Sequence, residues 1–105
     1  MRYLAEMTTA DEEREAATAR INEVIGLLRN SGAAEASAVV AECEALARAV
    51  SAFHMEGIRF RIYNVDRLLT RHAAVLPREA RPLIEEVRRH LETAGFHTRS
   101  HQSPV

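Results

Sequence analysis

The sequence predicts an all-α chain of three helices, with antiparallel helical hairpins around one long central helix and a four-helix bundle completed as a homodimer. Three observations predict it. Apolar residues recur at three- and four-residue steps, the spacing of one helix face. Residues 33–74 contain no proline, no Asn-Gly pair and no cluster of polar loop residues. Stop signals stand at Asn30-Ser31-Gly32, at Leu76-Pro77 and at Gly95-Phe96.

The first helix follows an amphipathic leader holding Arg2, Tyr3, Leu4 and Met7. Thr9 and Glu12 have the spacing of a capping box, in which hydroxyl and carboxylate satisfy free amides at a helix start. Asp11, Glu12 and Glu13 complement the positive helix end. Ala17, Ile21, Val24, Ile25 and Leu28 form the apolar stripe, and Gly32 supplies the left-handed residue that closes it.

The central helix is expected to run without interruption over residues 33–74, roughly 60 Å at 1.5 Å per residue. Val39, Cys43, Leu46, Val50 and Phe53 carry its stripe first, then Met55, Ile58, Ile62, Val65 and Leu69. At ~100° per residue the second face is turned by about a quarter turn from the first. Gly57 is the one candidate break; a hairpin there would use His54-Met55-Glu56-Gly57 and give a monomeric up-down-up-down bundle instead. Phe53, Phe60 and Tyr63 read as core, with an exposed patch for a protein helix as the alternative.

Leu76-Pro77 ends the central helix, because a residue before proline is pushed out of helical geometry. Pro77 to Ala80 reads as a turn, and Pro82 suits the first position of the last helix. Leu83, Ile84, Val87, Leu91 and Ala94 give that helix its stripe. Gly95 can turn left-handed and let Phe96 fold back on Leu91. One domain is expected over residues 1–96, with a loose polar tail over 97–105.

Two helices at each cross-section are too thin to exclude water, so a second copy packed antiparallel is expected to complete four. Charge favours this: residues 1–56 hold ten acids and five Arg, whereas residues 57–105 hold nine Arg and five acids. The expected dimer interface comprises Val50, Phe53, His54, Gly57, Ile58, Arg61 and Val65.

Composition limits the function classes. All 14 basic residues are Arg, and with the many alanines this suggests a GC-rich bacterial genome. Cys43, the one cysteine, excludes an intrachain disulfide and a multi-cysteine zinc site. Residues 1–9 lack an apolar run after a basic start, and no apolar stretch reaches membrane-spanning length, so a cytoplasmic location is expected.

Chemistry-bearing residues are sparse. His54 sits near the middle of the central helix, with Glu56 and Arg61 close by, and near the expected two-fold axis. A symmetric metal, anion or pH-sensitive site there is the sharper reading; a hydrogen-bonded interface histidine beside Gly57 is the plainer one. His97 and His101 could add ligands from the tail. His54 and His72 are roughly 27 Å apart along one helix and cannot share a metal. Glu86 and His90, four apart, could hold two metal positions or form a solvated pair.

Arg59, Arg61, Arg67, Arg71, Arg78, Arg81, Arg88 and Arg89 invite a nucleic-acid reading. They are interleaved with Asp66, Glu79, Glu85, Glu86 and Glu92, which disfavours a phosphate-binding surface. No nucleotide loop, catalytic triad or paired-carboxylate site is present in the sequence pattern. The expected function is therefore a non-enzymatic helical dimer serving protein interaction, assembly or regulation. A small-ligand or metal-binding bundle using His54 is the alternative, and nucleic-acid binding the weaker one.

Overall fold

The structure, a computed structural model, describes residues 8–98 and places four helices among them. They are α1 (Thr9–Ser31), α2 (Ala36–Ser51), α3 (Met55–Arg71) and α4 (Ala80–Thr93). The chain runs up, down, up and down. α1 packs against both α2 and α4, α2 packs against α3, and α3 and α4 touch least.

The expected central rod is therefore two helices, and the prediction of three helices is corrected to four. The break is at Ala52, Phe53 and His54, not at Gly57, which lies inside α3. Its cause is a hydrogen-bonded helix ending. His54 N–H donates to Ala49 O at 3.0 Å and Phe53 N–H to Val50 O at 3.2 Å. This is the pair of bonds that closes a helix when the next residue turns left-handed, here Phe53 at φ 57. Glycine ordinarily takes that place because a Cβ crowds the backbone there.

The other ends follow the sequence more closely. Gly32 at φ 74 closes α1 and Gly95 at φ 103 follows α4. Phe96 N–H returns to Leu91 O at 2.9 Å, the fold-back expected from Gly95-Phe96. The α1 cap is Thr8 in place of Thr9, with its Oγ1 accepting from Asp11 N–H at 3.0 Å. α3 stops at Arg71, short of Leu76-Pro77. α4 starts at Ala80, so Pro82 stands third in it, still among positions whose amide has no helical acceptor.

Four helices of one chain close the core. Ile21, Val24 and Leu28 of α1 meet Val39, Leu46 and Val50 of α2, Ile58, Ile62 and Val65 of α3, and Ile84, Val87 and Leu91 of α4 in one cluster of buried side chains. Burying a side chain of this kind stabilises the fold by roughly 1.5–3 kcal/mol. Val50, Ile58 and Val65, expected at a dimer interface, are thus spent inside their own chain. The core does not require a second copy, because the turn at Phe53 brings α3 back beside α2.

Polar contacts fix the helices across their seams. On the α2–α3 seam, Glu42 accepts from Arg61 at 3.1 Å and from buried Asn64 at 3.2 Å. On the α3–α4 seam, Arg88 is 5% exposed and pairs with Asp66. It also donates to Thr98 O at 2.7 Å. Thr98 Oγ1 donates to Glu92 at 2.6 Å, so this residue of the expected tail is buried against α4. The apolar α1–α4 contact is flanked by His90–Glu13 at 2.5 Å and Arg20–Glu86 at 3.7 Å.

No helix among the described residues is long and apolar enough to cross a membrane.

Candidate interaction surface at the α2–α3 turn

The turn that breaks the expected rod also gathers most of the residues singled out from sequence. The last turns of α2 and the first turns of α3 diverge from Ala52 to His54 and leave a groove of about 510 Å³. Its small side chains are Ala45, Ala49 and Ala52, with Gly57 opposite. Arg48, His54, Glu56, Phe60 and Arg61 surround them.

His54 is the residue immediately before α3, with an extended backbone (φ −95, ψ 92), and is exposed. Its side chain makes no capping hydrogen bond. The ring lies over Gly57 so closely that a Cβ there would collide with Nδ1 and would stand 3.3 Å from Ala49 Cβ. Gly57 is therefore a spacer: it lets the ring fold back and lets α2 and α3 approach. This approach is made within one chain.

Arg61 is held by Glu42, with its guanidinium also 5.0 Å from the Phe60 ring centroid. Glu56 is largely exposed and paired with Arg59 at 3.4 Å. His97 is exposed and its backbone N–H donates to Met55 Sδ at 3.2 Å, which brings it to the same end of the bundle as His54. His101 lies outside the described residues. Among the described residues no three His, Cys, Asp or Glu side chains are grouped so as to hold a metal ion. The Glu86 and His90 pair is separated in its bonding, each turning to α1, Glu86 to Arg20 and His90 to Glu13.

The arginines of the basic half are partly committed. Arg59, Arg61, Arg81 and Arg88 all make ion pairs with carboxylates. Arg88, one of the arginines interleaved with acids in the sequence, is a buried strut between helices.

The aromatic residues depart most from expectation. Phe53, Phe60 and Tyr63 were expected in the core, yet they are 60%, 55% and 44% exposed. Phe53 lies on the bundle end, under the Arg14 guanidinium at 3.9 Å and beside Phe96 at 6.5 Å. Phe60 and Tyr63 stand one turn apart on the outer side of α3. The outward stripe on α2 is Ala38, Ala41, Ala45, Arg48 and Ala52, which sequence reading passed over. Its three- and four-residue steps were the available signal.

No family model, curated protein or solved structure matches the chain. Geometry and chemistry carry the functional reading.

Cys43, by contrast, offers no reactive thiol. It is fully buried on α2, and burial, with Glu42 and Glu44 adding, pushes its pKa up to about 12. A thiolate is the nucleophile and the metal ligand, and this site disfavours it.

Proposed function

We propose that this chain is a non-enzymatic helical assembly module, and that the α2–α3 face is its binding surface for a second copy of itself. One observation carries the reading: the exposed ring of Phe60 stands at the rim of a groove lined by the small side chains of Ala45, Ala49 and Ala52. A knob and a hole on one face are self-complementary. Under two-fold symmetry each copy offers Phe60 to the small residues of the other.

Charge supports the same partner. Arg48 and Glu56 line the same groove from different helices, so an antiparallel copy would set each Arg48 against the other's Glu56. Large exposed apolar side chains that cluster beside a groove mark association surfaces more often than scattered ones do.

Light scattering over a concentration series tests this. The expected mass is twice the 11.8 kDa of one chain. Phe60→Ser and Ala45→Arg are each expected to weaken the dimer at least tenfold while leaving the helical circular dichroism signal intact. A chain that stays at one-copy mass throughout overturns the reading.

A further inference from the structure

We infer that the α2–α3 turn is a hinge, and that the chain pairs with a second copy by opening it: α2 and α3 merge into one helix over residues 36–71, and each copy gives its α1–α2 hairpin to the other's α3–α4. This rests on the reading of a second copy as the partner and replaces face-to-face docking at the groove with exchange of hairpins as the way that copy is engaged.

Four observations converge on it. The connection is three residues, Ala52, Phe53 and His54, with neither proline nor glycine among them. None of the three is a helix breaker, and alanine favours a helix. Phe53 is the one non-glycine residue at positive φ among the described residues, and opening the turn returns it to ordinary helical geometry.

The contacts that would be lost are at the surface. Phe53 is more than half exposed and touches Arg14 and Phe96 at the bundle end. The contacts that matter more would be remade between copies. In a merged helix the core face of α2 (Val39, Leu46, Val50) and that of α3 (Ile58, Ile62, Leu69) differ by about a quarter turn at ~100° per residue. One rod can therefore serve two bundles, its first half in one and its second half in the other. The Glu42–Arg61 and Glu42–Asn64 clasps across the α2–α3 seam would be rebuilt between chains. A short connection under strain is the usual setting for such exchange.

Spin labels at Ser37→Cys and Arg67→Cys, in a Cys43→Ala background, read the hinge directly. Both positions are exposed and lie on α2 and α3 beyond the Glu42–Arg61 clasp, on the side away from the turn. Labelled chain is refolded with a large excess of unlabelled chain, so that only distances within one chain are seen. The closed hairpin holds the labels under about 20 Å, since packed helices lie 8–10 Å apart. The open rod separates them by about 45 Å, at 1.5 Å per residue.

The expected result is the long distance in the two-copy fraction isolated by size exclusion. Phe53→Gly, which accepts the left-handed turn, is expected to lower that fraction several-fold, and Phe53→Ala to raise it. A two-copy fraction showing only the short distance overturns hairpin exchange and leaves the assembly reading standing. One-copy mass with only the short distance, at every concentration, overturns both. Equal two-copy fractions for Phe53→Gly and Phe53→Ala overturn the hinge.

Discussion

Phe53 and Gly95 hold the same place in the same helix-ending motif. Each is followed by a residue whose amide reaches back five positions, His54 to Ala49 at 3.0 Å and Phe96 to Leu91 at 2.9 Å. Each turns left-handed, at φ 57 and φ 103. Glycine adopts that backbone freely; a phenylalanine held there costs about 1–2 kcal/mol. Packing of α3 on α2, through Ile58, Ile62 and Val65, offsets that cost.

The two Phe53 variants separate backbone from side chain. Both lose the ring's contacts with Arg14 and Phe96, but only glycine relaxes the backbone. Phe53→Gly is expected to be more stable than Phe53→Ala by about 1–2 kcal/mol. Urea unfolding at concentrations where both have one-copy mass measures it. Equal midpoints would mean that the turn is not left-handed at this position.

Gly57 and His54 are expected to be coupled. Alanine favours a helix over glycine by about 1 kcal/mol, but here its Cβ would meet the His54 ring. Gly57→Ala alone is expected to gain little or lose stability. In a His54→Ala background the same change should recover much of the helix-propensity gain, with the 3.3 Å approach to Ala49 Cβ setting the limit. A double-mutant cycle reads the coupling, and equal effects in both backgrounds would contradict the ring's place over Gly57.

Arg88 should be the costliest polar residue to remove. Arg88→Ala leaves Asp66 and Thr98 O without its donors, and loss of one partner of a buried pair costs about 3 kcal/mol. Arg88→Met combined with Asp66→Leu removes both charges and is expected to recover most of that loss. Chemical unfolding of both variants checks the pair. If the double replacement were as unstable as the single one, the cost would lie in packing and not in charge.

Cys43 gives a stability change with pH whose sign follows from its burial. Its pKa is raised from 9.0 to about 12, so the folded chain holds the proton more tightly than the unfolded one. The contribution is complete below pH 9.0 and is lost as pH rises toward 12. Between these limits the native chain is expected to lose stability faster than Cys43→Ala. Alkylation by iodoacetamide at pH 8 should also be slow until denaturant is added. Parallel stability curves, or rapid native alkylation, would contradict the burial.

Much of the architecture can be read from local pattern. The α1 stripe, the closing glycines and the Phe96 fold-back need only residues a few positions apart, because capping and amphipathicity are local effects. His54, Glu56 and Arg61, grouped from sequence by nearness along the chain, do line one groove. What that grouping missed is why they meet. Arg61 turns to Glu42, nineteen positions away, and Arg88 is buried by a seam that no spacing announces. Phe60 and Tyr63 have core-like residue types at core-like steps, and only the placement of α2 beside α3 decides which side faces water.

The sequence by itself determined four things: an all-helical chain, the stripe of each helix, the glycine-closed ends of the first and last helices, and a single thiol. The tertiary structure decided that residues 33–74 turn back at Phe53. Helix propensity through Ala52-Phe53-His54 is continuous, and a phenylalanine carries no local signal for a left-handed backbone. The turn exists because folding back buries two apolar faces in one core, and that gain is a property of the packed chain, absent from any short stretch of it.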